Sequence, residues 1–280
     1  MAEEKKGTIL TAFSTASATG KTLLSINMAS ELARVGSKVC LVDLDLQFGD
    51  VCNYLQLFPE KTIADAQKGI EEDGDDYPTE NLTISYGFNG TIFNVLPSPL
   101  RLDEAYNMSD KVVRKILNKL QRSFDYVVVD TASTFSVINL MLLDESTIVS
   151  FLGVVDFIPT IKNMKIGIDT LRTLNYDRNK LRLVLNRSDA KTHISLQDVE
   201  KLLGSPFDYI LPNDFHAATK SIKEGTPMVL EDENTLLGQS FKELVARYTN
   251  RTVEPMQTAV VEEVEESKEE KKGWFSRLFG

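Results

Sequence analysis

The sequence predicts an α/β fold: a doubly wound, mostly parallel sheet with helices on both faces. Three observations predict it. Short apolar runs alternate with helix-period segments along the chain. Several runs are apolar nearly throughout, as strands covered on both faces require. The first run passes through a short loop straight into a helix, the connection on which such sheets place ligands.

The strands are read at 8–13, 38–45, 126–130, 147–155, 181–186 and 207–211, and the helices at 21–35, 110–122, 161–174, 195–203, 216–224 and 236–249. In the second helix Val112, Val113, Ile116, Leu117 and Leu120 share one face. Residues 69–99 are less regular. "GIEEDGDDYP" reads as an acidic loop and "TISYGFNGTIFNVLP" as a hairpin turning at Asn89-Gly90, together an insertion on the domain. One nucleotide-binding-sized domain over 1–250 is therefore expected, then a charge-rich, aromatic-free linker over 251–270, then an apolar and basic segment over 271–280.

Composition narrows the class. At 280 residues, with 42% hydrophobic and 26% charged, the chain can bury a sizeable core. A formal net charge of −10 argues against a broad phosphate-neutralising surface, so DNA is not expected as a partner. Cys40 and Cys52 form no Cys-x-x-Cys, and His193 and His216 are too scattered for a metal site. No apolar run has signal-peptide or membrane-spanning length, which places the chain in the cytoplasm unless something attaches it to a surface.

The loop after the first strand, "FSTASATGKT", ends in Gly20-Lys21-Thr22. Such a loop holds phosphate through main-chain N–H groups and a helix N-terminus, with the lysine at the outer phosphates and the hydroxyl on magnesium. The strict pattern G-x-x-x-x-G-K-[ST] fails at its first position, Thr15, and the tripeptide alone also reads as an ordinary helix start capped by Thr19.

The surroundings add to it. "FSTASATGKT", "LVDLDLQFGDV", "FDYVVVDTAS", "LVLNRSD" and "ILPND" follow in this order and together resemble the MinD/ParA family of deviant Walker ATPases, nearest the CpaE/TadZ branch associated with Tad-type pili. The resemblance covers about 7–250 and implies ATP and Mg2+ as cofactors and a homodimer. It places the nucleotide on Ser17, Ala18, Thr19, Gly20, Lys21 and Thr22. Asn186, Arg187, Pro212 and Asn213 then border the adenine, where the alternative is plain loop chemistry. Thr22, Asp43 and Asp130 are assigned to the metal, and Asp45 to ordering the attacking water, with Asp50 as second choice. One of Asp43 and Asp45 capping a turn is the alternative.

The family's signature lysine is absent: Ala16, Ser17 and Ala18 stand where Lys-Gly-Gly is usual. Ala16 supplies no cation to a partner's phosphates, so weak or absent hydrolysis follows. Non-glycine residues at positive φ would cost roughly 1–2 kcal/mol each. "TASTF" after Asp130 also lacks the proline and glycine usual in the family's second switch.

In "KKGWFSRLFG", Trp274, Phe275, Leu278 and Phe279 fall within about 140° of a helix circumference. Lys272 and Arg277 supply positive charge, and the segment resembles MinD's membrane-targeting tail. Docking of this tail on the domain or in a partner groove is the alternative. The combined expectation is a localisation factor at the inner face of the membrane, recruiting pilus or secretion assembly proteins. Its rival is a scaffold that keeps the fold and tail but binds no nucleotide.

Overall fold

The computed structural model describes residues 6–156, 158–188, 195–231 and 235–252. One sheet contains β1 (Thr8–Phe13), β2 (Val39–Leu44), β3 (Ile84–Phe88), β4 (Thr91–Leu96), β5 (Tyr126–Thr131), β6 (Ile148–Gly153), β7 (Leu181–Leu185) and β8 (Tyr209–Ile210). Its spatial order is β3-β4-β2-β5-β1-β6-β7-β8, parallel except for the antiparallel β3–β4 pair. The α-helices among the described residues are α1 (Lys21–Arg34), α2 (Val51–Leu55), α3 (Ile63–Asp73), α4 (Leu102–Tyr106), α5 (Asp110–Ser123), α6 (Val137–Glu145), α7 (Ile158–Thr173), α8 (Leu196–Leu203), α9 (Phe215–Glu224) and α10 (Leu236–Tyr248).

The unbroken apolar runs have a direct cause. Successive strand residues point to opposite faces, and both faces are covered. Leu10, Ala12, Leu41 and Val128 pack with α1 and α10, while Ile9, Cys40, Val42, Val127 and Val129 pack with α3, α5 and α6. A third cluster joins β6 and β7 to α7 and α8 around Phe13, Phe151 and Leu183. On α5, Val113, Ile116, Leu117 and Leu120 are fully buried, each worth about 1.5–3 kcal/mol relative to exposure. The same alternation sets the carboxylates: Asp43 continues the Val39–Leu41 side of β2 and Asp130 the Val128 side of β5, so both face α1. They are register partners on adjacent strands.

Three sequence expectations change. The 83–97 hairpin is not an insertion: β4 pairs in parallel with β2, so the hairpin forms the edge of the main sheet. The acidic stretch from Gly69 to Asp73 is the end of α3, which starts with a capping box between Thr62 and Asp65. Gly69 is required there because the Tyr77 ring would lie 2.3 Å from a β-carbon. Helix α6 was not read at all. Its segment VINLMLLDE is apolar on every side, and only the Ser136 cap marks its start.

Among the described residues no helix is long and apolar enough to cross a membrane. The predicted linker and tail from 253 onward, including Lys272, Trp274, Phe275, Arg277, Leu278 and Phe279, lie outside the described residues.

Candidate functional site

Strand β1 has β5 on one side and β6 on the other, so the chain winds away from it in both directions. A crevice opens at the carboxyl ends of the strands at such a point. Here it is a cavity of about 720 Å³, lined by Ser17, Ala18, Gly20, Lys21, Thr22, Asp45, Asp50, Ser133, Asn186, Arg187, Pro212 and Asn213. Ten of the residues assigned from sequence thus meet in one place, although they span residues 17–213 of the chain. Thr19, Asp43 and Asp130 do not line it; all three are buried just behind its floor.

The loop 14–20 is built from the residues that replace the family's glycines. Ala18 takes a left-handed φ of 57°, as does Gly20 at 93°, whereas Ser17 has a negative φ. The strain expected at two positions therefore falls on Ala18 alone, about 1–2 kcal/mol. Side-chain hydrogen bonds to the loop's carbonyls offset it: Asn186 Nδ2 donates to Thr19 O at 2.9 Å, and the Arg187 guanidinium donates to Ala18 O. A β-carbon on Gly20 would lie 2.5 Å from Asn186 Nδ2, so this position admits only glycine.

Thr19 does not cap the following helix. Its hydroxyl turns inward, to Ala16 O at 3.4 Å, and α1 follows Gly20 with no side-chain cap and no acidic residue in its first turn. The first N–H groups of α1 therefore face the cavity end without a protein acceptor, the arrangement that suits an anion.

Lys21 is buried, and its ammonium donates to Ser133 Oγ at 2.7 Å; Ser133 in turn donates to Ala16 O at 2.9 Å. Burial lowers the Lys21 pKa, and the charges of Asp130 and Asp45 act against that. Thr22 donates to Asp130 Oδ2 at 2.6 Å and Ser25, one turn on, to Asp130 Oδ1 at 3.2 Å. Burial pushes the Asp130 carboxyl up to about 6 against the pull of Thr22 and Lys21.

Asp43 is pushed well above the usual carboxylate range, by burial first and by Asp130 second. Its two oxygens accept the main-chain N–H of Asp45 at 3.1 Å and of Val51 at 3.2 Å, so Asp43 fixes the 45–51 loop. Gly49 makes that wrap possible: a β-carbon there would lie 2.4 Å from Asp43 Oδ2. Asp50 starts α2 and accepts from Asn53 Nδ2 at 3.2 Å.

The donor set suits a hard divalent cation. A hydroxyl and carboxylates lie together, and the raised Asp130 carboxyl is what a nearby positive charge would relieve. Among the described residues no three of His, Cys, Asp and Glu converge to hold a metal alone. Magnesium at such a place takes one or two protein oxygens and completes its shell from phosphates and water.

Asn186, expected either to border the adenine or to serve plain loop chemistry, lines the cavity beside Gly20. Its amide is engaged at both ends, donating to Thr19 O and accepting from Arg187 N at 2.9 Å, so it braces the loop. Ser133, Ser25 and Gly49 were missed. Ser25 was findable, three positions after Thr22 and thus on the same helix face. Phe48 and Phe215, 73% and 77% exposed, also line the cavity and were not anticipated.

This geometry defines a phosphate-loop site on a doubly wound sheet. Residues 9–166 match the AAA_31 family, an AAA domain, and the chain belongs to it. Its relatives place it within the MinD/ParA P-loop ATPases. The septum site-determining protein MinD of Synechocystis is 24% identical over 250 residues, covering 84% of this chain and 86% of that one. Among solved structures, a ParA family ATPase from Chlorobium tepidum superposes with a TM-score of 0.78 at 17% identity, over 86% and 98% of the two chains. MinD of Pyrococcus horikoshii, solved with Mg-ADP, gives 0.72 at 18% identity over 86% and 96%.

Proposed function

We propose that this chain binds ATP and magnesium and acts as a membrane-associated localisation factor of the MinD/ParA type, positioning or assembling a Tad-type pilus or secretion system. The observation that carries the reading is the cavity at the carboxyl end of β1, where Lys21, Thr22 and the uncapped start of α1 share one wall. In this reading the N–H groups of Gly20, Lys21 and Thr22 cradle the phosphates, and Lys21 leaves Ser133 for the outer phosphates. Thr22 and Asp130 hold magnesium, with Asp43 behind them, and the bound metal neutralises charge on the phosphates. Asp45 orients the attacking water. The adenine lies toward Arg187, Pro212 and Asn213.

Turnover is weak or absent, because Ala16 offers no cation where the family's signature lysine stands. The protein works as a homodimer, with the exposed Phe48 and Phe215 on the face that meets the second copy or the pilus components. It is cytoplasmic and peripheral at the inner face of the cell membrane, tethered by the 251–270 linker. Lys272 and Arg277 meet anionic headgroups, while Trp274, Phe275, Leu278 and Phe279 enter the interface.

Thermal unfolding of the full chain against rising ATP and magnesium tests the nucleotide part. A midpoint that climbs with concentration supports it, and a flat response supports the nucleotide-free scaffold instead. Liposome co-sedimentation tests the tail. Full-length protein is expected to pellet with anionic vesicles and the Trp274→Glu, Phe275→Glu variant to remain in solution; equal pelleting contradicts the membrane reading.

A further inference from the structure

A second cavity, of about 300 Å³, opens at the opposite edge of the sheet, where β6 and β7 begin. Its floor is apolar, with Val149 and Leu171, and its wall is cationic: Arg178, Lys180 and Arg182 line it within five residues. In a chain of net charge −10 this concentration of positive charge stands out. Among the described residues none of the three forms an ion pair. Lys180 Nζ donates to Asp144 O at 2.8 Å and Arg182 to Asn179 O at 2.6 Å, both main-chain carbonyls. Arg172 also lines the cavity, but its guanidinium is held by Asp169 and Leu203 O. The lining carboxylates are engaged too, Asp177 by Asn179 N and Asp208 by Leu183 N.

We infer that the acidic run of this same chain, Glu262 to Glu270, docks along this cationic wall. The chain leaves the described residues at the matching edge. At the end of α10 the Tyr248 hydroxyl hydrogen-bonds Ser150 Oγ at 2.9 Å, and Ser150 is the register partner of Arg182. Arg251 pairs at 3.6 Å with Glu31, near the last turn of α1. Ten further residues reach Glu262 from Thr252, a span of up to roughly 33 Å. The run carries Glu262, Glu263, Glu265, Glu266, Glu269 and Glu270 against one opposing charge, Lys268. Single surface ion pairs contribute little, but a tethered partner is present at millimolar-scale effective concentration, so several weak pairs suffice. The contact is independent of the nucleotide site. It masks the charge that would otherwise repel an anionic membrane from the segment that follows.

Zero-length carbodiimide coupling tests this on the full chain, mixed in equal parts with an isotopically heavy copy and read by mass spectrometry. The expected product joins Lys180 to a glutamate of 262–270 within single copies. It should fall at least fivefold in the R178E/R182E variant, whose fold is checked by circular dichroism, and in wild type at about 1 M salt, where screening acts beyond about 3 Å. Absence of the link overturns the inference. So does a link formed only between light and heavy copies, or one that persists undiminished both in the variant and at high salt.

Discussion

The Thr22 hydroxyl on α1 donates a 2.6 Å hydrogen bond to the Asp130 carboxylate at the end of β5. This bond ties the phosphate-loop helix to β5, and it unites two of the three groups assigned to magnesium. A bond to a buried charged acceptor is worth about 1.5–3 kcal/mol. Thr22→Ala should therefore lower unfolding stability by that amount in denaturant titration, while Thr22→Ser keeps most of it. Loss of magnesium-dependent stabilisation should accompany the alanine variant alone.

Acid should stabilise the ligand-free protein before it denatures it. Asp130, raised to about 6, stays protonated in the fold where the unfolded chain has already ionised near about 4. Between these values the native state binds more protons, so stability falls as pH rises through the window. Asp43, raised by burial and by Asp130, acts in the same direction. Melting temperatures measured without magnesium should decline over that range, and Asp130→Asn should flatten the decline.

Two substitutions in the loop should act oppositely. Gly20→Ala places a β-carbon 2.5 Å from Asn186 Nδ2 at a φ of 93°, and a loss of about 2 kcal/mol or more is expected. Ala18→Gly relieves a left-handed alanine, gaining about 1–2 kcal/mol less the entropy of the freer chain. The net gain, about 0.5–1 kcal/mol, should appear in equilibrium unfolding.

Asn186→Ala removes the donor to Thr19 O and the acceptor for Arg187 N together. The buried carbonyl left behind should cost about 1–3 kcal/mol. Nucleotide affinity should fall for ATP and for an inosine analogue alike, because the amide holds the loop and not the base edge. Selective loss with ATP would return Asn186 to the base.

The strands of the sheet and the phosphate loop were legible because burial on two faces leaves long apolar runs and because Gly20-Lys21-Thr22 sits where one such run ends. Asp130 was legible for the same reason, as a carboxylate closing YVVVD. Helix α6 was not, since a segment apolar all round has no period to read. Helix α3 was hidden by Gly69, whose helical use depends on a ring eight residues away. The bracing of the loop by Asn186 and Arg187 joins residues more than 160 apart in sequence, a contact that no local pattern encodes. Ser133 as the partner of Lys21 was hidden in the same way.

Calorimetric titration of the full chain with ATP and magnesium, beside Lys21→Ala, tests the central claim most directly. The account predicts saturable binding to wild type, weakened at least tenfold, about 1.4 kcal/mol, in a variant that remains folded. Binding that is undetectable in wild type, or unchanged by removal of the lysine, would contradict it.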